Sequence, residues 1–184
     1  MTEKWTERRM LNLLEDRYGM IYGNGRRWVT AEHVKDTSGH NTRRIADLIA
    51  LDVWPSKGHE IHGHEVKVSR SDWLAELRDP EKSAAFRRWC DRWWLVVPDA
   101  SIVKPGELPP GWGLMVAVPK QVWRSSPEGG GMVDGPGWKI RVRKPGPKLT
   151  PEPIPLSFMA SLMRAAAKTA ETRGRSALEA GMLL

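Results

Sequence analysis

Apolar positions recur at helical spacing at the start of the chain. Met10, Leu14 and Tyr18 fall at i, i+4 and i+8 with Leu11 beside them, which predicts an amphipathic helix over 2–18. Thr2 is placed to cap it and Gly19 to stop it. After a turn at 22–27 the period shortens. "RWVTAEHV" (27–34), "RRIADLIALDVW" (43–54) and "EIHGHEVKVS" (60–69) read as three strands, separated by the loop "DTSGHN" and the turn "PSKGH". Together they predict a β-meander.

Helical text follows. "SRSDWLAELRD" suits a helix with Ser71 as cap and Asp72 in its first turn, and "DPEKSAAFRRWCD" suits a second with Asp79 as cap and Pro80 at its first position. "RWWLVVPD" (92–99) and "LMVAVP" (114–119) are short apolar strands around the loop 104–113. From 120 the texture changes. Residues 124–137, rich in Gly, Pro and Ser, predict a mobile loop, "WKIRVRK" (138–144) a half-exposed strand, and "PGPKLTPEPIP" a spacer. Residues 156–180 predict a helix whose Leu156, Met159, Met163, Ala166, Ala167 and Ala170 form a docking face. This order specifies an α/β fold, one mixed sheet flanked by helices, with a core over 1–119 and a basic extension over 120–184 ending in a helix. No Gly-rich turn joins a first strand to a helix, so a doubly wound nucleotide fold is excluded.

Composition adds constraints. The chain has 184 residues, enough to bury a core, with 40% apolar and 28% charged residues, as in an ordinary globular protein. No apolar run approaches a membrane span, and the acid-rich start is no signal peptide. Cys90 is the single cysteine, which excludes an internal disulfide and a cysteine-rich zinc site and suits the reducing cytoplasm. Of the net charge of +7, residues 120–184 carry +6 (11 Lys/Arg against 5 Asp/Glu). A basic segment on a balanced core points either to a polyanion such as nucleic acid or to a solvated basic surface.

Candidate chemistry lies in the third strand. Strand alternation puts Glu65 and Lys67 on one face, about 6–7 Å apart, and Val66 and Val68 on the other. The hairpin before it brings Asp47 close to Glu65. Two carboxylates about one spot make a hard oxygen site of the kind Mg²⁺ takes, and Lys67 beside it can orient water or offset charge on a phosphate. The same three residues also fit a structural ion pair across two strands. Asp52, a rival ligand, falls on the other face. Asp79 reads as a helix cap, and Asp72 as a helix cap or a contact to the site. Lys82 suits a phosphate contact or a solvated position. His62 and His64 share the face opposite Glu65 and can chelate a transition metal there, or stand idle near a turn with His59. Trp89, Trp93 and Trp94, of ten tryptophans, read as packing between helix and sheet.

"RRIADLIAL" followed by "HEVKVSRSDWLAELRDPEKSAAFRRWCDRWWLVVPD" resembles the PD-(D/E)XK nuclease superfamily, in particular the MmcB-like DNA-repair nucleases and related proteins of actinobacterial phages. The matching residues are Arg43, Arg44, Ala46 and Asp47; Glu65 and Lys67; Asp72 and Trp73; Asp79 and Lys82; and Cys90 to Trp93. The resemblance covers roughly 28–119 and leaves 120–184 unexplained; Val68 stands where the pattern has Ser. It implies a restriction-endonuclease-like fold and a Mg²⁺- or Mn²⁺-dependent DNA nuclease in the bacterial cytoplasm, without a membrane partner and with pairing of two copies open. Asp47 and Glu65 would hold metal, Lys67 would position the attacking water, and Glu32 would assist as a further acid, its other reading being a surface acid at a strand end. Arg43, Arg44, Lys82, Lys139, Arg141 and Arg143 would contact phosphates. The alternative is a catalytically inactive nuclease-fold protein that binds DNA or another protein.

Overall fold

The structure, a computed structural model, describes residues 4–19, 21–22, 25–37, 44–125 and 132–179. Its elements are α1 (Glu7–Tyr18), β1 (Ile21–Tyr22), β2 (Gly25–Arg26), β3 (Trp28–Lys35), β4 (Ile45–Asp52), β5 (Ile61–Val66), α2 (Arg70–Arg78), α3 (Pro80–Arg87), β6 (Arg92–Val97), β7 (Trp112–Ser125), β8 (Met132–Lys144) and α4 (Leu156–Glu179). β1 and β2 pair only with each other; the other six form one mixed sheet in the order β3-β4-β5-β6-β7-β8. The first two pairings are the antiparallel meander, β5, β6 and β7 run parallel, and β7 and β8 close the sheet as an antiparallel hairpin.

Strand alternation gives the sheet two buried faces. One holds Leu48, Val66, Trp94, Val96 and Met115 against Met10, Leu11 and Leu14 of α1. The other holds Ile49, Trp93 and Leu95 against Trp73 of α2 and Phe86 of α3. The predicted role of Trp89, Trp93 and Trp94 holds: all three are buried. Gly63 makes room for this packing, because a Cβ there would lie 2.2 Å from the Trp93 ring. Gly63→Ala is therefore expected to lower stability by about 1–3 kcal/mol through overpacking, read from the urea midpoint.

Local starts differ from those expected. α1 is capped by Thr6, whose Oγ1 accepts a hydrogen bond from the Arg9 N–H at 3.2 Å; Thr2 lies outside the described residues. Gly19 ends the helix, but with φ −76° and not in the left-handed region. Ser69, not Ser71, caps α2, accepting from the Asp72 N–H at 3.1 Å, because β5 ends at Val66 and leaves Ser69 extended. Asp79 precedes Pro80 of α3 as expected, yet its side chain makes no capping bond and faces Arg44 instead.

Residues 120–125 and 132–144 belong to the same sheet. The boundary at 119 falls inside β7, and β8 buries Ile140 in the α1 face. Much of the expected loop at 124–137 is strand: Arg124 pairs with Val133 and Gln121 with Pro136. Pro and Gly are tolerated there because β8 is an edge strand. Residues 126–131 lie outside the described residues. α4 crosses the opposite edge at β3, with Phe158 fully buried and its ring 4.3 Å from that of Trp89. The expected docking face is mostly the outer one. Leu156, Met159 and Met163 are 83%, 40% and 67% exposed, while Ser161 and Thr169 turn inward and bond the β3 backbone. Phe158→Ala is expected to cost about 3–5 kcal/mol and to expose residues near 160–170 to proteolysis. Among the described residues no helix is long and apolar enough to cross a membrane.

Candidate active site

The β4–β5 ladder stops at Leu48 and His64. One residue further, the Asp47 side chain takes the place of a ladder bond: its Oδ2 accepts from the Val66 N–H at 2.7 Å. The carboxylate is thus fixed by backbone where the two strands part. Glu65, on the face towards α2 and α3, is 1% exposed. Its Oε1 accepts from Lys67 Nζ and from Lys82 Nζ, each at 2.5 Å. Both ammonium groups also reach Glu76 Oε2, at 3.1 Å from Lys67 and 2.9 Å from Lys82. The result is a square of two carboxylates and two ammonium groups with Asp47 beside it. Glu76 Oε1 is buried and has no hydrogen-bond partner among the described residues.

The charges in this cluster respond to burial first. Burial, then the Asp47 carboxylate, pushes Glu65 up to about 8 against the pull of Lys67. Burial also raises Asp47, in spite of the Val66 N–H and Lys67. Burial acts on Glu76 in the same sense, but Lys67 and the hydrogen bonds from Glu65 and Lys82 outweigh it and hold that carboxyl below its usual range. Burial would lower both lysines, yet Glu65 leads the carboxylates that raise them. Three acids thus face two bases, and burial with the surplus negative charge favours the protonated form of Glu65.

This cluster opens on a cavity of about 410 Å³ lined by Glu7, Lys67, Asp72, Glu76, Asp79 and Lys82. Asp47 also meets Glu7 and His33, and one ligand atom from each lies within 4.8 Å of the others. His33 reaches this position with φ +51°, a left-handed backbone uncommon outside glycine, and the next residue, Val34, is buried in the face shared with α4. The donors here are two carboxylates and one imidazole. A divalent cation fits the set of Glu7, His33 and Asp47.

The structure brings together Asp47, Glu65 and Lys67, as the strand pattern predicts, and leaves other expected residues elsewhere. Glu32 lies in a separate ion-pair cluster with Arg8, at 2.7 Å, and with Arg173. Among the described residues none of its hydrogen bonds or ion pairs reaches Glu65 or Lys67. Lys82, expected at a phosphate or in solvent, is a member of the carboxylate cluster. Arg44 faces Asp79 at 3.3 Å, and Arg43 lies outside the described residues. Lys139, Arg141 and Arg143 are exposed on β8, in register with Val118 and Val116 for the first two. Asp72 is exposed and lines the cavity.

The remaining candidates have structural roles. Asp52 is held by Arg27, which contributes to lowering its pKa against the opposing effect of burial. His64 is fully buried, with Nε2 2.8 Å from the Tyr18 hydroxyl and Nδ1 3.2 Å from the Leu48 carbonyl. His62 Nε2 lies 3.1 Å from Glu60. These contacts engage both His64 nitrogens, so the pair forms a hydrogen-bonded core cluster and not a transition-metal site. Cys90 is fully buried, and burial pushes its thiol pKa up.

Sequence reading missed Glu7, His33 and Glu76. For Glu76 a signal existed: it stands at i+3 from Trp73 and beside Leu77, on the inward stripe of α2, where a carboxylate has no place without a partner. No family model, no curated protein and no solved structure matches the chain.

Proposed function

We propose that this protein is a divalent-metal-dependent DNA nuclease with a restriction-endonuclease-like core, acting in the bacterial cytoplasm. The observation that carries the reading is the convergence of Asp47, Glu65 and Glu76 on Lys67 and Lys82 at the end of β4 and β5, beside an open cavity. Asp47 and Glu65 would hold the metal. When bound, Mg²⁺ or Mn²⁺ supplies charge that polarises a phosphoryl oxygen and makes water acidic enough to attack.

The chain's own residues do the rest. The Val66 N–H fixes one Asp47 oxygen, so that carboxylate enters the reaction already oriented. With a cation bound, Glu65 would release its proton to solvent and act as a carboxylate, with Lys67 and Lys82 hydrogen-bonded to its Oε1. Lys67, 12% exposed along its side chain, then presents its ammonium group to the cavity, where it orients water and stabilises charge on a phosphate. In hydrolysis the water oxygen bonds to phosphorus, the ester P–O bond breaks, and the leaving oxygen takes a proton. Arg141 and Lys139 on β8 offer sequence-neutral phosphate contacts.

The test is a panel of labelled single-stranded, duplex, nicked and flapped DNAs with Mg²⁺, Mn²⁺ or EDTA. The account expects cleavage with metal and none with EDTA. DNA that is bound but uncut on every substrate would instead assign an inactive nuclease fold that works by binding.

A further inference from the structure

A second concave surface lies next to the candidate site, between β3 and α4. It is a groove of about 630 Å³ whose lining includes Lys35, Arg164 and Lys168. Its walls are fixed. Ser161 of α4 donates to the Lys35 carbonyl at 2.9 Å, and Thr169 Oγ1 accepts from the Glu32 N–H at 2.9 Å while donating to the Ala165 carbonyl at 2.8 Å. These hydroxyls satisfy backbone groups on the free edge of β3 and seat α4 along it.

The charges around the groove are unbalanced. Its one acid, Glu32, is already neutralised by Arg8 and Arg173. Lys35, Arg164 and Lys168 are exposed, and none has an ion-pair or hydrogen-bond partner for its side chain among the described residues. Arg164 and Lys168 stand one turn apart on α4, about 6 Å along its axis, facing Lys35 across the groove. The lining of the groove includes His33, which also belongs to the group with Glu7 and Asp47. The groove thus shares His33 with that group, and it carries three cations without an acidic partner among the described residues.

We propose that this groove seats the phosphates of the nucleic-acid strand that runs into the active site. The groove rests on the nuclease reading for what lies at its end, although its affinity for phosphate does not. It also gives the basic second part of the chain a role: α4 supplies one wall. Contacts of this kind are to the backbone, so binding through the groove is indifferent to base sequence.

The experiment measures binding of fluorescein-labelled single-stranded and duplex 20-mers, in EDTA so that no cleavage occurs, across a salt titration. Wild type is compared with the triple variant K35A/R164A/K168A and with K139A/R141A/R143A, which strips the β8 surface. All six positions are exposed, and circular dichroism melts establish that each variant is folded. Arg8 is left in place because it holds Glu32.

Each phosphate contact contributes about 0.7 to the slope of log K against log salt for a single strand and about 0.9 for duplex. The groove variant is expected to lose about 2 from the slope and to bind at least about 30-fold more weakly in low salt. A groove variant that keeps the wild-type slope and affinity while the β8 variant loses both would overturn the proposal, as would a wild type that binds neither DNA. If no DNA is cut under any condition but the groove variant still loses its slope, the nuclease reading fails and the groove stands.

Discussion

Lys67→Ala is expected to lower the rate of DNA cleavage by about 10³-fold or more while leaving DNA affinity within about threefold. Lys67 is nearly buried and reaches both Glu65 and Glu76, so its charge is spent on the cluster and not on long-range attraction of DNA. Removing it leaves Lys82 bonded to both carboxylates and Glu65 still protonated near neutral pH, so the fold survives. Single-turnover rates and binding curves on one DNA separate the two effects. A variant that cuts normally, or that loses rate only in proportion to lost binding, would make Lys67 a structural ion-pair partner and nothing more. Lys67→Arg, which keeps the charge but not its shape, is expected to recover little.

The second large effect concerns pH. Burial pushes folded Glu65 up to about 8, from an ordinary glutamate value of about 4.5. Between those limits the native chain binds more protons than the unfolded one, so this residue's contribution to stability falls as pH rises through the window. It is complete below about pH 4.5 and lost above about pH 8. Glu65→Gln keeps the shape of the protonated acid and cannot ionise, so its stability lacks this slope. Wild type is therefore expected to lose stability relative to Glu65→Gln between pH 5 and pH 8, by a few kcal/mol at about 1.4 kcal/mol per pKa unit. Urea midpoints at three pH values measure it. Added Mn²⁺ is expected to restore wild type at pH 8, because a cation replaces the proton, and to do little for Glu65→Gln. Parallel curves for the two proteins would contradict the buried, protonated Glu65.

What could be read from sequence follows the physics of each element. Alternation in "HEVKV" placed Glu65 and Lys67 on one face because a strand leaves no other choice. The meander and the α/β order were equally legible, since apolar period and turn residues agree over 27–69. Helix starts were less so: Ser69 and Ser71 are equivalent as letters, and only the end of β5 at Val66 decides between them. Residues 124–125 and 132–137 of the β7–β8 hairpin read as loop because edge pairing tolerates the Gly and Pro that local propensity rejects.

The site was half legible for a similar reason. Asp47, Glu65 and Lys67 come from adjacent strands, so a hairpin predicts their meeting. Glu76 and Lys82 come from the two helices that follow, whose tilt over the sheet no local pattern encodes. Glu32 lies on β3 in a pattern that favours the site, but Arg173 from α4, 141 residues away in sequence, holds it in another cluster. Contacts of that range depend on where α4 docks, and the inward face of α4 is defined by Ser161 and Thr169, not by its exposed Leu156, Met159 and Met163.

The most direct test of metal-dependent hydrolysis at this cluster is cleavage of labelled DNA in water enriched in oxygen-18, with Mg²⁺, by wild type and by Asp47→Ala. The account predicts one heavy oxygen on each phosphate released by wild type, and no product from Asp47→Ala or in EDTA. Product formed equally well by Asp47→Ala, or DNA bound and left intact by wild type, would contradict it.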